Sequence, residues 1–104
     1  MRPLRSFEIE RSKTVGVKVF FHPTLRKLVQ DREWVEATGG TVGQCFNQLV
    51  QQYPGLKEKL FDKKGKIHHL VEIYVNQESA YPDELAKAVK EGDKIQVTLL
   101  LSGG

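Results

Sequence analysis

The sequence is poor in cysteine, with a single one, Cys45, among 104 residues. One cysteine cannot form a disulfide within the chain, so nothing favours an oxidising compartment. No segment approaches the roughly 20 consecutive apolar residues of a membrane span, and the N-terminal residues lack the apolar stretch of a signal peptide. We therefore expect a cytoplasmic protein with no membrane partner.

The chain also carries little excess charge of either sign. The net charge is only +3, and lysine and arginine alternate with acidic residues without a basic, aromatic stripe. Nucleic acid is therefore not expected as a partner. His68 and His69 are adjacent in the sequence, and adjacent side chains of a strand point to opposite faces, so the two are poor joint metal ligands. His22 has no other candidate ligand near it in the sequence. We expect no metal site, and no nucleophile–base pair suggests a free-standing enzyme.

Hydrophobic periodicity predicts strands separated by two helical segments. The predicted strands are 15–21, 33–37, 69–75 and 94–99, the predicted helices are 41–53 and 83–90, and residues 56–61 form a helical turn. Residues 76–79 are expected to form a turn. We interpret residues 1–14 as an N-terminal extension and residues 15–104 as one domain.

The helix beginning at Thr41 has the clearest pattern. Thr41 and Gln44 have the spacing of a capping box, in which each side chain accepts a bond from the backbone of the other. Apolar residues then recur at helical spacing and form one continuous stripe. Cys45 lies on this stripe, so we interpret it as a small core side chain and not as a nucleophile.

These elements predict an α+β domain in which one main helix packs across a mixed sheet of four to five strands. The first and last strands are natural neighbours as a parallel central pair, because the segment between them supplies the crossover. This is the β-grasp arrangement of ubiquitin-like proteins.

The last strand continues into Leu100, Leu101, Ser102, Gly103 and Gly104. Glycine has no Cβ, so such a tail can enter a narrow slot in another protein. The six residues from Leu99 to Gly104 can reach up to about 20 Å when extended. Leu100 and Leu101 alternate faces, which makes Leu101 the inward candidate and Leu100 the outward one.

The chain resembles the ThiS/MoaD group of ubiquitin-like sulfur carrier proteins. The resemblance rests on the Thr-Val-Gly helix start at Thr41, the strand end Val75-Asn76, the turn at 91–93 and the terminal Ser102-Gly103-Gly104. Within the group, residues 23–26, 66–68 and 71–76 look more like the CysO-type carrier of cysteine biosynthesis.

The resemblance implies that a ubiquitin-activating-like adenylyltransferase uses ATP to adenylate the Gly104 carboxylate. Sulfur would then replace AMP and leave a thiocarboxylate for a second enzyme. That acceptor would be a PLP-dependent cysteine synthase or the large subunit of molybdopterin synthase. Ser102, Gly103 and the two leucines would contact the partner. The carrier itself would bind no cofactor and be monomeric when free.

Other functions remain open at this point. After the CysO-type carrier, the chain is most similar to the small subunit of molybdopterin synthase. It is also compatible with a ubiquitin-like modifier or interaction module that never carries sulfur. The lysines between Lys57 and Lys66 could steer an acidic partner, but a solvated charged loop is the favoured explanation.

Overall fold

The computed structural model describes residues 16–100. Its strands are β1 (Val17–Phe21), β2 (Trp34–Ala37), β3 (Val71–Val75), β4 (Glu78–Ser79) and β5 (Lys94–Leu99). Its α-helices are α1 (Val42–Gln52) and α2 (Leu56–Leu60), and two 3-10 helices span Pro23–Val29 and Glu84–Ala86. None of the helices within this described part is long and apolar enough to cross a membrane.

The strands form one mixed sheet in the order β2-β1-β5-β3-β4. The central pair, β1 and β5, is parallel, with Val19 opposite Ile95, and the other pairs are antiparallel. This confirms the predicted parallel neighbours at the centre of the sheet. Strand β5, like β1 and β3, has a paired strand on each side.

One face of the sheet, the inner face, is covered by α1 and the loops around it. Alternate residues of β1, β3 and β5 point to this face and are buried. The largest fully buried side chains are Phe21, Phe46, Leu49, Leu56, Leu60, Ile73 and Ile95. Burying a side chain of this size contributes about 1.5–3 kcal/mol, so this layer is the main source of stability.

The start of α1 follows the predicted capping pattern with one difference. The Thr41 hydroxyl accepts a hydrogen bond from the Gln44 backbone at 3.1 Å. The Gln44 side chain does not return to Thr41. It accepts instead from the backbone of Gly40 at 2.6 Å, one residue before the cap. The two bonds still satisfy backbone donors on both sides of the cap, so the helix begins where the sequence indicated.

Gly43 in the first turn of α1 allows a close approach by another segment. A Cβ at this position would lie 2.9 Å from the carbonyl oxygen of Leu85. The second 3-10 helix therefore packs directly on the helix backbone, and Val42 donates a backbone hydrogen bond to Lys87 at 2.9 Å. The Thr-Val-Gly helix start thus has a packing reason.

Two local predictions were wrong, and one short element was missed. The helix expected over 83–90 is only the short 3-10 helix Glu84–Ala86. The turn expected over 76–79 contains strand β4, because Asn76 and Gln77 have positive φ and form a two-residue hairpin turn. The 3-10 helix Pro23–Val29 was not predicted, although Leu25 and Val29 are buried.

Candidate functional site

The C-terminal tail leaves the domain from the middle of the sheet. The neighbouring strand β1 ends at the same level, where the backbone N–H of His22 donates to the carbonyl of Val97 at 3.0 Å. On the other side, the N–H of Leu100 donates to the carbonyl of Leu70 at 2.8 Å. Strand β5 is therefore held by backbone bonds as far as Val97 on the β1 side and as far as Leu100 on the β3 side.

Of the predicted site residues, Leu100 is the one that lies within the described range, 16–100. Its side chain is 46% exposed, whereas Ile95 and Val97 of the same strand are buried. Alternation along β5 turns Leu100 to the outer face of the sheet, opposite α1. The prediction of an outward Leu100 is confirmed. Leu101, Ser102, Gly103 and Gly104 lie outside the described residues, so their roles stay predictions.

Leu70 is a second exposed apolar residue at this place, and we did not single it out from the sequence. Val71 is opposite Leu99 in the antiparallel pair, so Leu70 and Leu100 are cross-strand neighbours on the outer face. Leu70 is 44% exposed. The signal was available, because Leu70 continues the outward positions of Glu72 and Tyr74. We call Leu70 and Leu100 the exit pair.

The exit pair differs in kind from an ordinary exposed leucine. Single exposed apolar residues are common on proteins and need no explanation. Here two of the four large exposed hydrophobic residues of the described part adjoin each other at the start of the tail. Such a pair can dock on an apolar surface of a partner that grips the tail.

Cys45 is fully buried on α1, which confirms that it is a core side chain. Burial disfavours the thiolate and raises the pKa of the Cys45 thiol above its ordinary value. The thiolate is the nucleophilic form of cysteine, so both the position and the raised pKa argue against nucleophilic chemistry here.

The prediction for the adjacent histidines was wrong in its geometry. Strand β3 begins only at Val71, so His68 and His69 precede it, and their rings stack at 4.7 Å instead of pointing to opposite faces. The ring of His68 accepts from the Leu70 backbone at 3.1 Å. Between residues 16 and 100, no group of three or more histidine, cysteine or acidic side chains could hold a metal ion.

The lysine-rich loop after α2 is an ordered turn. The carboxylate of Asp62 accepts backbone bonds from Lys64 at 2.7 Å and Lys66 at 3.0 Å. These bonds, that of Lys66 first, hold the pKa of Asp62 below its usual value. The loop lysines are exposed, and their predicted steering role stays a prediction.

The opposite end of β5 carries a polar cluster around the buried carboxylate of Asp93, which we call the Asp93 cluster. Asp93 accepts from the Asn76 side chain at 3.0 Å and from the Lys90 backbone at 2.9 Å. The side-chain oxygen of Asn76, Oδ1, in turn accepts a hydrogen bond from the backbone N–H of Lys94 at 3.0 Å. The bond from Asn76, followed by that from Lys90, holds the pKa of Asp93 below its usual value. This cluster fixes the start of β5 and offers no reactive group.

Comparison with known proteins identifies the family. The model of the ThiS family matches residues 19–104. The chain belongs to the ThiS family. It is 33% identical over 93 residues to the sulfur carrier protein CysO of Mycobacterium tuberculosis, covering 86% of this chain and all of that protein.

Solved structures agree with the family assignment. The crystal structure of Mycobacterium tuberculosis CysO matches with a TM-score of 0.77 and 32% identity, over 83% of this chain and 100% of the other. CysO in the Amycolatopsis orientalis BexX/CysO complex matches with a TM-score of 0.78 and 29% identity, over 86% and 100%. The β-grasp fold predicted from the sequence is confirmed. The Mycobacterium tuberculosis relative is a sulfur carrier protein of 93 residues.

Proposed function

We propose that this chain is a sulfur carrier whose Gly104 carboxylate is the reacting group. The carboxylate oxygen attacks the α-phosphate of ATP in a ubiquitin-activating-like adenylyltransferase, and pyrophosphate leaves. A sulfur nucleophile then attacks the acyl carbon, and AMP leaves. The product is a thiocarboxylate at the C-terminus. The observation that carries the proposal is the chain's match to the ThiS family through Gly104.

The described residues support a carrier that presents a tail. The strand that precedes the tail is held by backbone bonds as far as Val97 on the β1 side and as far as Leu100 on the β3 side, and the exit pair at its end is exposed. A partner can therefore bind the start of the tail without unfolding any part of the sheet. The chemistry of adenylation, including the Mg²⁺–ATP site and stabilisation of the phosphate charge, would belong to the adenylyltransferase. In this proposal the carrier needs no bound cofactor.

The sulfur acceptor we favour is a PLP-dependent cysteine synthase. The resemblance at residues 23–26, 66–68 and 71–76 points to the CysO-type carriers, and the match to CysO extends over the whole of that relative. The competing acceptor is the large subunit of molybdopterin synthase. A modifier joined to lysine side chains is the alternative without sulfur chemistry.

The intact mass of the protein from its native host separates these functions. A carrier shows a fraction in which one oxygen has been replaced by sulfur, and that fraction is lost on deletion of Gly103 and Gly104. Isopeptide-linked adducts without any thiocarboxylate would instead identify a modifier and overturn the proposal. Incubating the thiocarboxylate form with each acceptor enzyme and its acceptor substrate then decides the pathway, because only the cognate enzyme consumes the thiocarboxylate, first as an acyl–sulfur adduct of the carrier and then, after hydrolysis of the acyl–sulfur bond, as the free carboxylate.

A further inference from the structure

Residues 57–66, which we call the basic segment, carry the whole net charge of the chain. The segment holds five lysines against Glu58 and Asp62, a formal charge of +3, which equals the +3 of the full 104 residues. The charges of all other residues therefore cancel. The five lysines are Lys57, Lys59, Lys63, Lys64 and Lys66. The excess charge is thus a local feature of the surface.

The lysines of the basic segment are not neutralised within the fold. All five are exposed. Among residues 16–100 the single ion pair joins Lys90 and Asp93 at 3.9 Å, so no carboxylate of this described part pairs with the segment. The carboxylate of Asp62 accepts from the backbone N–H groups of Lys64 and Lys66 instead. Like charges in close proximity are destabilising, so stability of the fold does not explain the cluster.

The basic segment presents its last lysines on an ordered hairpin. Phe61 and Ile67 form an antiparallel bridge, and the N–H of Asp62 donates to the carbonyl of Lys66 at 2.7 Å. The N–H of Gly65 donates back to the carbonyl of Asp62 at 3.0 Å. Gly65 has a φ of 85°, which glycine adopts without strain. Because these bonds already hold the backbone, little of it has to be ordered when a partner binds.

The basic segment lies at the end of the sheet from which the tail leaves. Directly after it, the N–H of His68 donates to the Leu60 carbonyl at 2.8 Å, and Leu70 accepts from Leu100 at 2.8 Å. Lys66 is four residues from Leu70, so their Cα atoms are at most about 14 Å apart. A protein that covers the exit pair through an interface of standard size buries about 800 Å² of this chain, a disc of about 16 Å radius. Such a partner reaches the basic segment.

We propose that the basic segment docks on an acidic surface of the adenylyltransferase, beside the opening that the tail enters. The inference rests on the proposed function, in which this enzyme binds the tail, and it adds the chemistry of the surface around the opening. The lysines attract the enzyme over about one Debye length, about 8–10 Å, before the exit pair makes its short-range contacts. Association is therefore faster, and more sensitive to salt, than for an uncharged carrier.

The composition of the basic segment favours a protein surface over the other acidic partners. Surfaces for single-stranded nucleic acid combine cations with exposed aromatic rings that stack on bases. The one aromatic residue of the segment, Phe61, is half-buried, and its ring packs edge-on against Phe46 with the centroids 6.4 Å apart. The one leucine, Leu60, is fully buried, so no apolar side chain of the segment can anchor it in a membrane. Surface carboxylates of a protein are the partner that these lysines fit.

Carrier-dependent ATP–pyrophosphate exchange by the adenylyltransferase of the native host, measured at low and high salt, tests the proposal. The double variant Lys63→Glu/Lys64→Glu should lower kcat/KM about tenfold at low salt and leave kcat unchanged, because it slows association. In about 0.5 M salt the loss should shrink to about twofold or less. Lys63→Gln/Lys64→Gln should give an intermediate loss, and it replaces the reversal if a thermal melt shows that the reversal unfolds the chain.

The double variant Lys87→Glu/Lys94→Glu is the matched control, because both lysines are exposed and the net charge changes equally. Lys94 is six residues before Leu100, about 20 Å along the strand, and Lys87 is in the segment that leads to the start of β5. Both therefore belong to the opposite end of the sheet from the tail. The control should keep kcat/KM within about twofold of the wild type at low salt.

Each other outcome overturns the proposal. Wild-type kcat/KM in the reversal at low salt excludes docking by the basic segment. A loss that persists at high salt is not electrostatic, and an equal loss in the control reflects net charge alone. Binding of a single-stranded RNA that the reversal abolishes, with normal exchange, identifies nucleic acid as the partner instead. A wild-type chain that supports no exchange contradicts the proposed function as well, which distinguishes that failure from the others.

Discussion

The two ends of β5 are held in different ways. At its start, the Asp93 cluster closes a network of hydrogen bonds around a side chain that is only 8% exposed. At its end, the exit pair is nearly half exposed, and backbone bonds alone continue the strand. One end thus fixes the strand in the domain, and the other, in the function we propose, presents the C-terminal residues to a partner.

This difference separates stability from function along a single strand. A change at the Asp93 cluster should affect the free energy of unfolding and leave recognition intact in the folded protein. A change at the exit pair or the tail should affect reaction with the partner and leave the melting temperature nearly unchanged. Variants at both ends of β5, and one in the core, test this separation.

Deletion of Gly103 and Gly104 should abolish adenylation and thiocarboxylate formation completely, because it removes the reacting group. The melting temperature should stay nearly unchanged, since the pair follows the last core-facing residue of β5, Leu99. ATP–pyrophosphate exchange with the cognate adenylyltransferase, beside a thermal melt, checks both parts. A melting temperature lowered by many degrees would show instead that the tail is part of the core.

Leu100→Asp should weaken exchange by about tenfold or more, the effect of losing an interface anchor of about 1–2 kcal/mol, with little change in stability. Leu70→Asp should do the same if the exit pair docks as a unit. Leu101→Asp should damage both exchange and stability if the strand continues that far.

Tyr81→Asp is the matched control for the exit pair, because Tyr81 is 77% exposed and follows the far edge strand, β4. It should leave exchange unchanged. Normal exchange by Leu100→Asp would remove the docking role of the exit pair and leave recognition to the glycines.

Asp93→Ala should lower the free energy of unfolding by about 1–3 kcal/mol, because Asn76 and the Lys90 backbone lose a charged acceptor. Exchange by the folded protein should remain normal. Folding lowers the pKa of Asp93. The contribution of Asp93 to the free energy of unfolding is therefore fully present above the unfolded-state pKa and is lost as the pH falls through the folded-state pKa. Urea titrations at neutral and acid pH should show that the free energy of unfolding falls less on acidification in Asp93→Ala than in the wild type.

Cys45→Ala should retain sulfur transfer and lose only about 1 kcal/mol of stability, as expected for a small buried truncation. Denaturant unfolding and intact mass after thiolation measure the two effects. A variant that folds normally but is no longer thiolated would give Cys45 the chemical role that its burial argues against.

The long elements were predictable because their patterns are long. The bounds of β5, Lys94–Leu99, follow from strict alternation, and α1 follows from its cap and apolar stripe. Strand β4 has two residues, too few for any period to show. Leu85 and Val89 have helical spacing, yet Val89 is buried without a continuous helix because the segment packs on Gly43.

The candidate site was predictable only where it is local in sequence. The outward position of Leu100 follows from counting along one strand. Its neighbour Leu70 is far away along the chain, and only the antiparallel register of β3 and β5 brings the two together. The stacking of His68 on His69 likewise depends on where β3 begins, and strand ends are the least reliable part of a prediction from periodicity.

The central claim is that the reacting group is the Gly104 carboxylate and that the domain only presents it. The most direct test incubates the full chain with its adenylyltransferase, ATP and a sulfide source, and locates the sulfur by fragmentation mass spectrometry. We predict a single sulfur in the C-terminal fragment that contains Gly104, in place of one oxygen. Sulfur found on Cys45, or retained after deletion of Gly103 and Gly104, would contradict the claim.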